Sequence, residues 1–142
     1  MAMQKLRILS VGKTKETWLD EAISEYQQRL SKVLTFEFIW AKNDAQLLLL
    51  AVKEPLALCL DATGTLMNSP TFSSFIMKKF EEGGSRLTMI IGGAEGLPEP
   101  LKQRHALISF SPMTFTHQMI RLILVEQIYR AFEIDKGSNY HK

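Results

Sequence analysis

The residues best equipped for chemistry gather in the last third of the chain. The first group is Ser111-Pro112-Met113-Thr114-Phe115-Thr116-His117-Gln118. Pro112 fixes its own φ and biases Ser111 toward extended backbone. Met113, Phe115 and Met119 set apolar surface beside exposed backbone amides. Such a loop suits a flat heterocycle such as adenine, held by apolar contact and main-chain hydrogen bonds. It equally suits a hydrophobic loop folded onto the core. His117 opens a helical run, with Arg121 one turn further on and Arg130 near its end. A histidine there is a candidate proton acceptor, a substrate ligand or a simple cap. The chain closes on Tyr140-His141-Lys142: a ring that can stack on a base, an imidazole and a phosphate-pairing cation. Chain ends of this kind are otherwise commonly frayed.

A second group is the loop Gly92-Gly93-Ala94-Glu95-Gly96. Glycines after a strand allow close approach of backbone to a ligand, or simply a tight turn. The spacing is G-G-x-x-G, which is not the dinucleotide fingerprint, and no Gly-Lys-Ser/Thr follows to make a P-loop. His105, His117 and His141 are too far apart, and too poorly accompanied, to suggest a metal site. No Gly-x-Ser-x-Gly element occurs, which argues against a common serine hydrolase.

The elements that must position these groups alternate along the chain. Lys5–Val11, Thr35–Trp40, Pro55–Asp61, Arg86–Ile91 and Leu107–Phe110 read as strands. Between them, helices are expected after Thr17 (capped by it), from Asn43-Asp44 to Leu50, from a Ser69-Pro70 start to Gly83-Gly84, and over Pro98–His105. Thr116–Phe132 reads as a long amphipathic helix, followed by a polar tail. This order implies a doubly wound α/β fold with a mostly parallel sheet, in which ligands bind at the carboxyl ends of strands. Three such ends carry the Gly, Pro and polar punctuation: Leu60–Gly64, Ile91–Gly96 and Phe110–Phe115.

Composition fits one compact domain over residues 1–142, with 46% hydrophobic and 23% charged residues. No apolar run approaches the roughly 20 residues of a membrane span, and no signal-peptide pattern is expected, which points to the cytoplasm. Cys59 stands alone inside an apolar run and reads as a buried strand residue. The net charge of +2 is uneven: residues 1–42 balance at +2, residues 43–100 at −3 and residues 101–142 at +3. A basic last third permits a polyanionic partner, though a solvated basic face has the same composition.

Taken together, Ile91–Leu97, Leu107–Gln118, Arg121–Phe132, the terminal Tyr140-His141-Lys142 and the N-terminal Leu6–Lys13 resemble one family over nearly the whole chain. It is the ribosomal large-subunit methyltransferase H type, within the SPOUT superfamily. The resemblance implies a C-terminal trefoil knot, a feature too rare for patterning to suggest. It implies a homodimer that uses S-adenosylmethionine, without a metal, to methylate N3 of a pseudouridine in 23S rRNA, with the assembled ribosome as the expected substrate. By similarity the cofactor site maps onto Leu60, Gly92, Phe110, Ser111, Pro112, Met113, Thr114 and Phe115. His117, Arg130, Tyr140, His141 and Lys142 map onto the substrate side. The chain departs from the family pattern in a short Lys42–Leu56 region, in Thr65 where a lysine is usual, and in a final lysine where some members have arginine.

Three expectations follow. A side chain at Gly92 should obstruct the cofactor while leaving the protein folded. The apolar residues of Thr116–Phe132 should exceed what one small sheet covers and so favour a dimer. The tail should serve substrate and add little to stability. Two rivals stand beside the enzyme: a non-catalytic RNA-binding module, distinguished by lack of S-adenosylmethionine binding, and a nucleotide-dependent oxidoreductase, disfavoured by the glycine spacing.

Overall fold

The computed structural model describes residues 3–142. Five strands, β1 (Gln4–Val11), β2 (Leu34–Ala41), β3 (Ala57–Leu66), β4 (Arg86–Ile91) and β5 (Ala106–Ser109), alternate with five helices. The helices are α1 (Thr17–Arg29), α2 (Asp44–Ala51), α3 (Ser69–Glu82), α4 (Glu99–Arg104) and α5 (His117–Lys136). The strands form one sheet in the order β2-β1-β4-β3-β5, and every neighbouring pair is parallel.

Period-two alternation sends each strand's apolar residues to both faces, as a sheet covered on both sides requires. Leu6, Ile8, Leu58, Leu60, Met89 and Ile91 pack with α1, α3 and α5. Leu9, Cys59 and Ile90 pack on the other face with Leu47 of α2 and Leu101 of α4. Burial pushes the Cys59 thiol up to about 12, which leaves it un-ionised and unreactive at neutral pH.

Helix starts differ from the sequence reading in two places. The residue before α1 is Glu16, with no side-chain cap, so Thr17 lies inside the helix. At α3 the cap is Asn68, whose side chain accepts from the Thr71 N–H, while Ser69 donates instead to Gln127 of α5 at 2.7 Å. Asn43 and Thr116 do cap α2 and α5 as their residue types favour.

Two elements run longer than their patterns indicated, and both bear on the site. β3 does not stop at Asp61 but continues to Leu66 after a break in register, since Leu60 and Thr65 both lie opposite Ile108. Gly64 sits in that break, where a Cβ would lie 2.6 Å from the Leu107 carbonyl carbon. Only glycine lets the two backbones approach so closely. α5 continues to Lys136, four residues beyond Phe132, and ends at Gly137, where the Ser138 N–H donates to the Glu133 carbonyl.

The chain leaves the sheet at the edge strand β5, yet its next helix packs on both α1 and α3 and reaches β1. The connection therefore passes the carboxyl ends of β3 and β4, and it is these residues that enclose the site.

Candidate active site

A cavity of about 920 Å³ lies at the carboxyl ends of β3, β4 and β5. Leu60 and Asp61, the loop Ile91–Leu97 and the segment Ile108–Ile120 without Pro112 supply most of its wall. The start of α1 closes one side with Trp18. Seven of the eight residues expected to hold a cofactor thus line one cavity: Leu60, Gly92, Phe110, Ser111, Met113, Thr114 and Phe115. Pro112 does not line it; it shapes the segment that does. His117 lines it as well.

The glycine loop proves to be a tight turn and a cavity wall at once. Gly93 and Gly96 form an isolated antiparallel bridge, with the Gly96 N–H 3.0 Å from the Gly93 carbonyl. A Cβ on Gly92 would lie 2.4 Å from the carbonyl carbon of Gly96. The glycine is therefore required by the loop's own backbone. Gly92→Val distorts the turn before it obstructs any ligand, which corrects the expectation of a folded, merely blocked protein.

The segment after β5 is pinned at its start and open further on. Ser109 Oγ donates to the Ser111 carbonyl at 2.8 Å, and the Met113 N–H reaches Ser111 Oγ at 3.0 Å. Phe110 packs edge-on against Phe72 at 5.0 Å. Met113 is then 72% exposed and Phe115 40%. Acidic groups lie at the rim in Glu16 and Glu95, and Asp61 is held by the Thr63 N–H at 3.0 Å and Lys102 at 3.8 Å.

His117 is half-buried in the first turn of α5. Burial, and then the positive charges of Arg121 and Lys15, hold its pKa below the usual histidine value. The ring is thus neutral at physiological pH, the state a proton acceptor needs.

Beneath it lies a residue whose role the sequence reading missed. Arg121 is fully buried and, among the described residues, pairs with no carboxylate. Its guanidinium donates to Ser10 Oγ at 2.9 Å, Val11 O at 2.8 Å, Gly12 O at 2.6 Å and Thr14 Oγ1 at 3.2 Å. It also stacks over Trp40 at 4.5 Å. Burial lowers its pKa to about 10, so it stays charged. The available signal was an arginine on the apolar side of an amphipathic helix, between Met119-Ile120 and Leu124-Val125.

The remaining residues assigned to the substrate side form a separate cluster around Glu126, outside the cavity. Arg130 Nη2 donates to Glu126 Oε2 at 2.8 Å, and the Tyr140 hydroxyl donates to the same oxygen at 2.8 Å. Tyr140 packs edge-on against Tyr129 at 4.7 Å, under the Arg130 guanidinium. His141 Nδ1 lies 3.0 Å from Arg130 Nη1, and Lys142 is exposed. The tail is docked rather than frayed, which corrects the expectation that it adds little to stability. His141 also lines a second cavity of about 460 Å³, between α3 and α5, that shares Phe110 and Phe115 with the first.

The apolar face of α5 is mostly covered within the chain. Leu124, Val125, Ile128 and Ala131 are buried, and Ile120, Leu122 and Phe132 pack against the core. Of the exposed large apolar residues, Trp18, Met113, Phe115 and Met119 line the cavity, while Met3, Val33, Leu49, Val52 and Leu66 lie elsewhere. Among the described residues there is no cluster of metal ligands, and no helix long and apolar enough to cross a membrane.

A parallel sheet with its cavity at the carboxyl strand ends, walled by a glycine turn and by the segment leading into the last helix, defines a class, and comparison with known proteins agrees. The family described as "Predicted SPOUT methyltransferase" matches residues 4–141, and the chain belongs to that family. A protein of Protochlamydia amoebophila named Ribosomal RNA large subunit methyltransferase H is 61% identical over 140 residues, covering 99% of this chain and all of the relative. A protein of the same name from Streptococcus uberis is 40% identical, covering 97% of this chain and 99% of its own. Among solved structures, a probable methylase family protein from Haemophilus influenzae has a TM-score of 0.60 at 13% identity. It matches 96% of this chain and 70% of its own, and supports the fold alone.

Proposed function

We propose that this methyltransferase uses S-adenosylmethionine to methylate N3 of a pseudouridine in 23S rRNA, acting as a homodimer on the assembled ribosome in the cytoplasm. The observation that carries the reading is the convergence of seven expected cofactor residues and a neutral histidine on one cavity in a SPOUT methyltransferase. The rRNA target rests on the name carried by relatives matched end to end. The pseudouridine, its N3 position and a trefoil knot in the β5–α5 connection rest on family resemblance, and 1–142 is read as one domain.

The cavity suits the cofactor chemically. Its volume lies in the range of small-molecule sites. Met113 and Phe115 offer apolar contact for an adenine, the Ile91–Leu97 and Ser111–Phe115 backbones offer hydrogen bonds, and Glu95 and Asp61 offer negative charge near a cationic ligand. When bound, S-adenosylmethionine supplies an electrophilic methyl group on sulfur.

The imide nitrogen of the target base must lose its proton to be a good nucleophile. His117, kept neutral by burial, accepts that proton at its imidazole. Arg121 holds the helix carrying His117 against the β1 carboxyl end and so positions it. Arg130 is already paired with Glu126, so its part is to seat Tyr140 and His141 for the substrate, with Lys142 left free for phosphate. The exposed apolar Trp18 and Met119 beside the cavity are the surface that a second copy covers.

Calorimetry against Met113→Asp tests the cofactor site. Met113 is exposed, so the fold should survive while S-adenosylmethionine binding weakens about tenfold or more, roughly 1.4 kcal/mol. Unchanged affinity in the variant overturns the placement. A wild-type protein that binds no S-adenosylmethionine overturns the enzyme reading in favour of a non-catalytic RNA binder.

A further inference from the structure

Arg121 raises a question that the chemistry at His117 does not answer. A buried cation without a carboxylate is costly, and the fold directs this one at backbone carbonyls and hydroxyls. Its partners are the Val11 and Gly12 carbonyls and the Ser10 and Thr14 hydroxyls, at and just beyond the carboxyl end of β1. Gln118 reinforces the same loop: its Nε2 donates to the Lys13 carbonyl at 3.1 Å, and its Oε1 accepts from the Lys15 N–H at 3.1 Å. Every residue from 11 to 15 is therefore tethered to the first turns of α5.

What this braced loop presents is positive charge. Lys13 and Lys15 are exposed. Lys42 is also exposed, one residue beyond the end of β2. That end is joined to the loop, since the Gly12 N–H donates to the Ala41 carbonyl at 2.8 Å and Trp40 lies under Arg121. The Lys42 N–H is fixed by Gln46 Oε1 at 2.6 Å. Each lysine thus stands on immobilised backbone. None of the three is in an ion pair among the described residues, although Glu16 adjoins Lys15 and Asp44 stands two residues from Lys42. The patch borders the site: Glu16 and Trp18, just beyond Lys15, line the cavity, and Lys15 bears electrostatically on His117.

We propose that Lys13, Lys15 and Lys42 form a rigid phosphate-binding platform that grips the RNA backbone beside the target nucleotide, with Arg121 as its positioning residue. The proposal rests on the rRNA reading above. Loose surface lysines lose side-chain and loop entropy on binding, whereas a pre-braced loop loses less. Phosphate contacts fix register without reading sequence, which suits an enzyme whose specificity lies at one base.

The test is the salt dependence of binding to unmethylated ribosomes and to a fluorescein-labelled RNA stem-loop. The triple variant Lys13→Gln/Lys15→Gln/Lys42→Gln should reduce the slope of log affinity against log salt by about 2–3, one contact per lysine. S-adenosylmethionine affinity and melting temperature should not change, and the triple arginine variant should keep the wild-type slope. An unaltered slope in the glutamine variant overturns the platform while leaving the methyltransferase reading intact. So does a changed oligomeric state by light scattering, which would assign the lysines to a protein interface. If the wild-type protein binds neither RNA, both readings fail.

Discussion

The two ends of α5 hold arginines in opposite ways. At the amino end, Arg121 is fully buried, lacks a carboxylate and spends its donors on carbonyls and hydroxyls of another element. At the carboxyl end, Arg130 is half-exposed and paired with Glu126 on its own helix, the same carboxylate that holds Tyr140. The first arrangement cannot adjust, because moving Arg121 strands buried acceptors. The second is a part-buried pair within one helix that water still reaches, so it opens at lower cost than the first. One helix thus carries a fixed end, where the chemistry is placed, and a releasable end, where the tail is seated for substrate.

The largest effect should come from breaking the fixed end. Arg121→Met leaves Ser10 Oγ and the Val11 and Gly12 carbonyls without their donor, and should destabilise the protein by about 3 kcal/mol or more in chemical denaturation. A loss below about 1 kcal/mol would mean that the loop does not depend on this strut.

Next is His117→Gln, which should leave S-adenosylmethionine affinity nearly intact and lower the methylation rate on ribosomes about 100-fold. The pH profile sharpens this. The folded pKa of His117 is depressed, so the neutral ring is present above the ordinary histidine value of about 6.5 and is lost only as pH falls through the lower folded value. The wild-type rate should therefore be flat above about 6.5 and fall on the acid side, and the variant should lack that limb. A limb unchanged in His117→Gln assigns the proton acceptor elsewhere.

At the releasable end, deleting Tyr140–Lys142 removes the edge-on contact with Tyr129, the Tyr140 hydrogen bond to Glu126 and the contact of His141 with Arg130. The expected loss is about 1–2 kcal/mol in thermal denaturation, together with a strong loss of ribosome methylation and unchanged cofactor binding. Wild-type methylation by the truncated protein would make the tail structural alone. Tyr140→Phe should be milder still, about 1 kcal/mol, since the ring stays and only the hydroxyl's bond to Glu126 goes.

The division between what could and could not be read in the sequence runs along similar lines. β4 lies at Arg86–Ile91 as read, because a strand buried on both faces, here Leu87 to Ile91, leaves a mostly apolar local signature. The three loaded strand ends meet at one cavity because parallel order dictates it. The second half of β3 was hidden. Thr63, Gly64 and Thr65 read as a turn, and only the neighbouring β5 makes them strand. The cap of α3 is ambiguous in sequence because Asn68 and Ser69, both capping types, stand side by side, whereas α1 starts behind Glu16 with no side-chain cap at all. Arg121 was visible as a position but not as a strut, since its partners lie about 110 residues away in sequence. The docked tail was likewise unreadable, as Gly137 turns it back onto a face of α5 whose Glu126 gave no separate signal.

Transfer of a methyl group to rRNA at the amino end of α5 is the expectation on which the rest depends. It is tested most directly by incubating the purified protein with labelled S-adenosylmethionine and ribosomes lacking the modification, then mapping the label by mass. The expected result is one methyl per ribosome, on N3 of a pseudouridine in 23S rRNA, and none with His117→Gln in the same time. Label on another RNA or another atom, or none at all from a protein that binds the cofactor, would contradict it.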